Sequence, residues 1–131
     1  MGYDLSGLQV LVVDDDEDTA DLFADILERA GAVVQRATNL LDAVDRIREI
    51  KIGVVATDLA MPGGTGWDLA REVRQVRPMM PIVAVTGRLL PASPQWLIDQ
   101  GFSAILFKPV DPAQLVAVIW HLSASTGVDG R

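Results

Sequence analysis

A chain of 131 residues, half of them apolar and 22% charged, has the size and composition of one globular domain that buries roughly two-thirds of its surface, which excludes disorder as its overall description. A formal net charge of −7 opposes direct binding to nucleic acid or to an anionic membrane surface, so any control of genes would run through a partner protein. The absence of cysteine excludes disulfides and cysteine-ligated zinc and suits a cytoplasmic location; no apolar run approaches the roughly 18 to 20 residues of a membrane span, and residues 1–7 lack the basic and apolar regions of a signal peptide.

In chain order, short β-branched runs alternate with amphipathic stretches. The first run, Leu8 to Val13, reads as a strand and ends directly in Asp14 and Asp15. Asp16, Glu17 and Asp18 suit a solvated helix start, where acids complement the helix dipole. Leu22, Phe23, Ile26, Leu27 and Ala30 then repeat at helical spacing and stop at Gly31. A second strand, Ala32 to Ala37, is the most polar, and Leu40, Val44 and Ile47 mark the second helix. The third strand, Gly53 to Thr57, runs into Asp58 and the turn Leu59-Ala60-Met61-Pro62-Gly63-Gly64-Thr65-Gly66, with Leu69, Val73 and Val76 marking the third helix. The fourth strand, Ile82 to Thr86, precedes a short helix confined by Pro91 and Pro94, with Ser93 as cap and Gly101 as stop. Ala104 to Phe107 forms the fifth strand and leads into Lys108-Pro109; Pro112 opens a fifth helix carrying Leu115, Val118, Ile119 and Leu122. Residues 123–131 read as a tail, so the expectation is one domain over 1–131 with its core over about 8–122. Trp96 suits either a core position or a face for a partner, and His121 on the last helix reads as a rim residue rather than a phosphate carrier.

Five repeated strand–helix units predict an α/β fold with a parallel sheet, and such a sheet gathers the carboxyl ends of its strands along the edge where ligands bind. Asp14, Asp15, Asp58, Thr86 and Lys108 all stand at those ends. Two carboxylates about 4 Å apart repel by about 4 kcal/mol at an effective dielectric of 20, a cost that a cation relieves. Magnesium takes few carboxylates and favours phosphate oxygens, and a carboxylate is a competent covalent nucleophile for phosphoryl transfer once the accumulating charge is offset. A calcium loop over Asp14, Asp16 and Asp18 fails on its own terms. Thr19 stands where that loop needs glycine, Asp25 where it needs glutamate, and a strand rather than a helix precedes it. The run Gly63-Gly64-Thr65-Gly66 lacks the lysine and spacing of a phosphate-binding loop and reads as a turn.

The joint pattern is an acidic pair after the first strand, Asp58-x-x-Met-Pro-Gly-x-x-Gly after the third, Thr86 after the fourth and Lys108-Pro109 after the fifth. It resembles the receiver domain of bacterial two-component response regulators, in the manner of the stand-alone chemotaxis regulators, from about Leu8 to Leu122. The resemblance implies a doubly wound, flavodoxin-like sheet of five strands in the order 2-1-3-4-5 with five helices. It implies a phosphorelay switch that catalyses only its own phosphorylation and dephosphorylation. Asp58 would take a phosphoryl group from a phosphohistidine on a sensor histidine kinase or a histidine phosphotransfer protein. Magnesium would be held by Asp15, Asp58 and the backbone carbonyl of Ala60, with Asp14 acting through water, and Thr86 and Lys108 would bind the phosphoryl group. Phosphorylation would alter binding of a downstream output protein at the face of helix four, strand five and helix five.

Two departures accompany the matches. Ile105 stands where many members carry Tyr or Phe, with Phe107 on the same side of the strand as a partial substitute. Ala60 and Arg88 occupy positions that, in the family, influence access of the hydrolytic water. Two further readings compete. One is an aspartyl phosphatase of the haloacid dehalogenase type, using Asp14 and Asp16; the other is a binding module that is never phosphorylated.

Overall fold

The computed structural model describes residues 2–60, 66–87 and 94–125. The expectations placed on residues 61–65, on Arg88, Pro91 and Ser93, and on the chain beyond 125 lie outside those residues. The strands are β1 (Gln9–Val13), β2 (Val33–Ala37), β3 (Val54–Thr57), β4 (Ile82–Thr86) and β5 (Ala104–Phe107). They alternate with α1 (Glu17–Arg29), α2 (Leu40–Glu49), α3 (Gly66–Val76), α4 (Pro94–Asp99) and α5 (Pro112–Ser125). All four strand pairings are parallel, in the order β2-β1-β3-β4-β5. This is the doubly wound arrangement expected from the sequence.

The alternation of side chains along the central strands divides the core in two. Leu11, Val13, Val55, Ile82 and Ala84 face α2, α3 and α4, whereas Val10, Val12, Val54, Val83 and Val85 face α1 and α5. Both faces of β1, β3 and β4 are covered, which is why those strands read as unbroken apolar runs. β2 lies at an edge and is correspondingly mixed, with only Ala37 buried. On α1 the buried stripe is Ala20, Phe23, Ala24 and Leu27, so Leu22, one position off that stripe, is exposed despite fitting the apolar pattern.

Caps set the helix ends, while burial holds the helices in place. Fully burying one Leu or Ile contributes about 1.5–3 kcal/mol, against about 1 kcal/mol for a cap. Asp16, Asn39 and Asp111 cap α1, α2 and α5 through their side-chain oxygens. At the end of α1 the N–H groups of Gly31 and Ala32 donate to the carbonyls of Glu28 and Leu27, and Gly101 and Phe102 repeat that pattern on Ile98 and Leu97 after α4. Both glycines have positive φ, 105° and 107°. The fifth helix runs longer than the sequence suggests. Ser123, expected to open a tail, is buried inside α5, which runs through Ser125, and donates its hydroxyl to the Trp120 carbonyl at 2.9 Å.

Candidate functional site

Register places the candidate residues before any side chain is considered. Val13 is level with Thr57 across the β1–β3 pairing, so Asp14 and Asp58 emerge side by side, and the Asp58 N–H donates to the Val13 carbonyl at 2.9 Å. On the other flank, Thr86 pairs with Phe107, and the Lys108 N–H donates to the Thr86 carbonyl at 2.9 Å. Thus the ends of β1, β3, β4 and β5 deliver the three acids, the hydroxyl residue and the amine to one edge of the sheet.

Carboxylate oxygens of Asp14, Asp15 and Asp58 all lie within 4.8 Å of one another. Asp14 is buried, Asp58 partly buried and Asp15 exposed, so the trio opens outward from a closed floor. The floor is an ion pair: Lys108 Nζ lies 3.0 Å from Asp14 Oδ2 and 3.3 Å from Asp58 Oδ2. Asp14 Oδ1 accepts the Asp16 N–H at 2.9 Å, and Asp58 Oδ1 accepts the N–H groups of Leu59 at 2.7 Å and Ala60 at 3.3 Å. One ammonium against three carboxylates leaves two negative charges in excess. That is the charge of one divalent cation, and an all-oxygen donor set is what magnesium takes, so the residues fit the ion that the receiver resemblance implies. Burial is the largest single influence on Lys108 and would lower its pKa. The hydrogen bonds and attraction of Asp14 and Asp58 outweigh burial, so the net shift is upward from 10.5 and the amine stays charged.

The remaining candidates are distributed around this centre. Thr86 is buried at the end of β4. Ile105 is half-buried against the cluster under α2, α3 and α4, while Phe107 is 51% exposed. Trp96 is partly packed. Its ring packs edge-on against Trp67 of α3, 5.9 Å between centroids and 64° between planes, yet it remains 41% exposed. His121 packs edge-on against Tyr3 and Trp120. Asp16 is committed to the α1 cap. It accepts the Thr19 hydroxyl at 2.6 Å, and that bond leads the influences holding its carboxyl below 3.8. An acid so engaged is a poor second member of the Asp14-x-Asp16 pair that a dehalogenase-type phosphatase needs.

Two features of the site are set by the backbone rather than by reactive side chains. The Leu59 and Ala60 amides are invisible in sequence because any residue supplies an N–H. Gly66 closes the Asp58-x-x-Met-Pro-Gly-x-x-Gly pattern and reads in sequence as a turn residue; a Cβ on it would stand 2.6 Å from the Asp58 carbonyl oxygen and 3.0 Å from Leu59 Cα. The glycine is required by close approach of α3 to the backbone of Asp58.

The chain has relatives among known proteins. The family model described as "Response regulator receiver domain" matches residues 10–120. An uncharacterized 14.6 kDa protein of Leptolyngbya boryana is 34% identical over 117 residues, covering 88% of this chain and 89% of the relative. The phosphoglycerate transport system transcriptional regulatory protein PgtA of Salmonella typhimurium is 33% identical over 84% of this chain, which spans only 26% of that longer protein. The crystal structure of a CheY-like response regulator receiver domain protein from Methanospirillum hungatei superposes with a TM-score of 0.86 at 26% identity, covering 94% of this chain and 98% of the other. The chain belongs to the response regulator receiver domain family, the phosphoacceptor switches of two-component signal transduction.

Proposed function

We propose that Asp58 is the phosphoacceptor and that the chain acts as a single receiver domain in a two-component system or phosphorelay. The observation that carries this reading is the position of Lys108 Nζ against both Asp14 and Asp58 inside a trio of carboxylates within 4.8 Å of one another. Asp15, Asp58 and the backbone carbonyl of Ala60 would hold magnesium, with Asp14 reaching it through water. Bound there, the ion supplies charge neutralisation on the phosphoryl oxygens.

The protein's own groups do the rest by position. Asp58 Oδ1 is fixed by two backbone amides, and Asp58 Oδ2 faces Lys108. The carboxylate attacks phosphorus in line, the bond from phosphorus to the histidine nitrogen of the donor breaks, and the histidine leaves with that electron pair. Lys108, already charged, offsets the negative charge brought in, and the Thr86 hydroxyl donates to a phosphoryl oxygen. No general base is needed, because an ionised carboxylate has no proton to lose. The chain is a switch that acts on itself and turns over no separate substrate. The phosphorylated state would shift an existing equilibrium at the face of α4, β5 and α5, changing the affinity for an output protein in the cytoplasm. Consistent with that location, no helix among the described residues is long and apolar enough to cross a membrane.

The test is intact-mass measurement after incubation with acetyl phosphate. One added phosphoryl group in magnesium, none in chelator and none on Asp58→Asn is the expected result. Stoichiometric label surviving Asp58→Asn would overturn the assignment.

A further inference from the structure

Thr57 is a buried polar residue that the acidic site does not account for. It ends β3 after Val54, Val55 and Ala56, all buried, and is itself 0% exposed. Valine would fill the same volume in that row without the desolvation cost of a hydroxyl. The hydroxyl donates to the carbonyl oxygen of Asp58 at 2.8 Å. That same oxygen is hemmed in by Gly66, where a Cβ would stand 2.6 Å away.

The peptide unit joining Asp58 to Leu59 is rigid and planar, so fixing its carbonyl end fixes its N–H end. The N–H end is the Leu59 amide, which donates to Asp58 Oδ1 at 2.7 Å. With Oδ1 so held, Oδ2 is the oxygen turned to Lys108 Nζ, 3.3 Å away. A hydroxyl on one side of a single peptide plane therefore sets the direction of the carboxylate on the other. We infer that Thr57 is a positioning residue for phosphoryl transfer, clamping the Asp58 carbonyl against Gly66 and so aiming the acceptor carboxylate. The inference rests on the proposal that Asp58 is the phosphoacceptor.

The experiment uses the full chain with acetyl phosphate in saturating magnesium and compares the parent with Thr57→Val, Thr57→Ser and Asp58→Asn. One hydrogen bond of ordinary strength corresponds to roughly a tenfold change in rate. Thr57→Val is expected to lower kcat for labelling by about tenfold with KM unchanged, and Thr57→Ser to recover it to within about threefold of the parent. Amide exchange gives an independent readout: the Leu59 N–H should exchange faster in Thr57→Val, while the Val55 N–H, inside the sheet, keeps its parent rate. Should Thr57→Val fail to fold, Thr57→Ala carries the same expectations. Labelling of the valine variant at the parent kcat, a serine variant as slow as the valine one, or a loss confined to KM would overturn the inference and leave the Asp58 assignment standing. A parent that takes no label would overturn both.

Discussion

The two ends of the sheet handle partly buried cations in opposite ways. At the carboxyl end a single ammonium, Lys108, faces three carboxylates and leaves them under-neutralised. At the amino end two guanidinium groups face backbone. Arg77, just past α3, donates to the carbonyls of Ile47, Ile50 and Ile52, tying the end of α2 to the approach of β3. Arg74 donates to the carbonyls of Met80 and Gly101, which precede β4 and β5, and burial lowers its pKa. A fork of five N–H donors suits several fixed carbonyls at once, whereas one flexible ammonium suits a site whose charge is to change. One end is saturated and holds the fold together; the other is left short of positive charge and is free to bind it.

Breaking the saturated end should have the largest effect on stability. Arg77→Ala leaves three carbonyls without their charged donor and is expected to cost about 3 kcal/mol, read as a lower denaturation midpoint in urea with the slope unchanged. Label per folded molecule should stay at the parent level. A loss of labelling without a loss of stability would erase the division between the two ends.

Relieving the under-neutralised end should do the reverse. In chelator, Asp15→Asn removes like-charge repulsion at an exposed position and is expected to gain about 1 kcal/mol, or about 3–5 °C in thermal midpoint. A variant less stable than its parent in chelator would show that the acids are not in conflict.

The smallest effect is the pH dependence carried by Lys108. Its folded pKa is raised above 10.5, so the folded state binds the proton more tightly than the unfolded chain does. The stabilisation from this group is complete below pH 10.5 and is lost as the pH climbs through the higher folded value. Urea midpoints measured across that alkaline window should fall in the parent and fall less in Lys108→Met.

What was legible in the sequence follows from the range of the interactions. Period and punctuation are local, so the strands came out to within a residue at each start, and Gly31, Gly101 and Pro112 marked ends that the structure keeps. Asp14, Asp15, Asp58, Thr86 and Lys108 were legible because a parallel sheet turns the position at the end of a strand into a position in space. The arginine staples were not, since Arg77 reaches carbonyls 25 to 30 residues away and backbone acceptors leave no trace in side-chain pattern. The packing of Trp96 on Trp67 was hidden for the same reason, being a contact between two helices with no shared local period. Ser123 lies buried inside α5 where composition alone reads a tail, because burial depends on packing that composition does not announce.

Three carboxylates and one ammonium leave the site short of positive charge. The thermal midpoint of the parent chain as magnesium is titrated tests that shortage most directly, with the same titration on Asp15→Asn beside it. The midpoint should climb steadily with the logarithm of magnesium concentration in the parent and much less in the variant. A parent midpoint equal in chelator and in excess magnesium would contradict it.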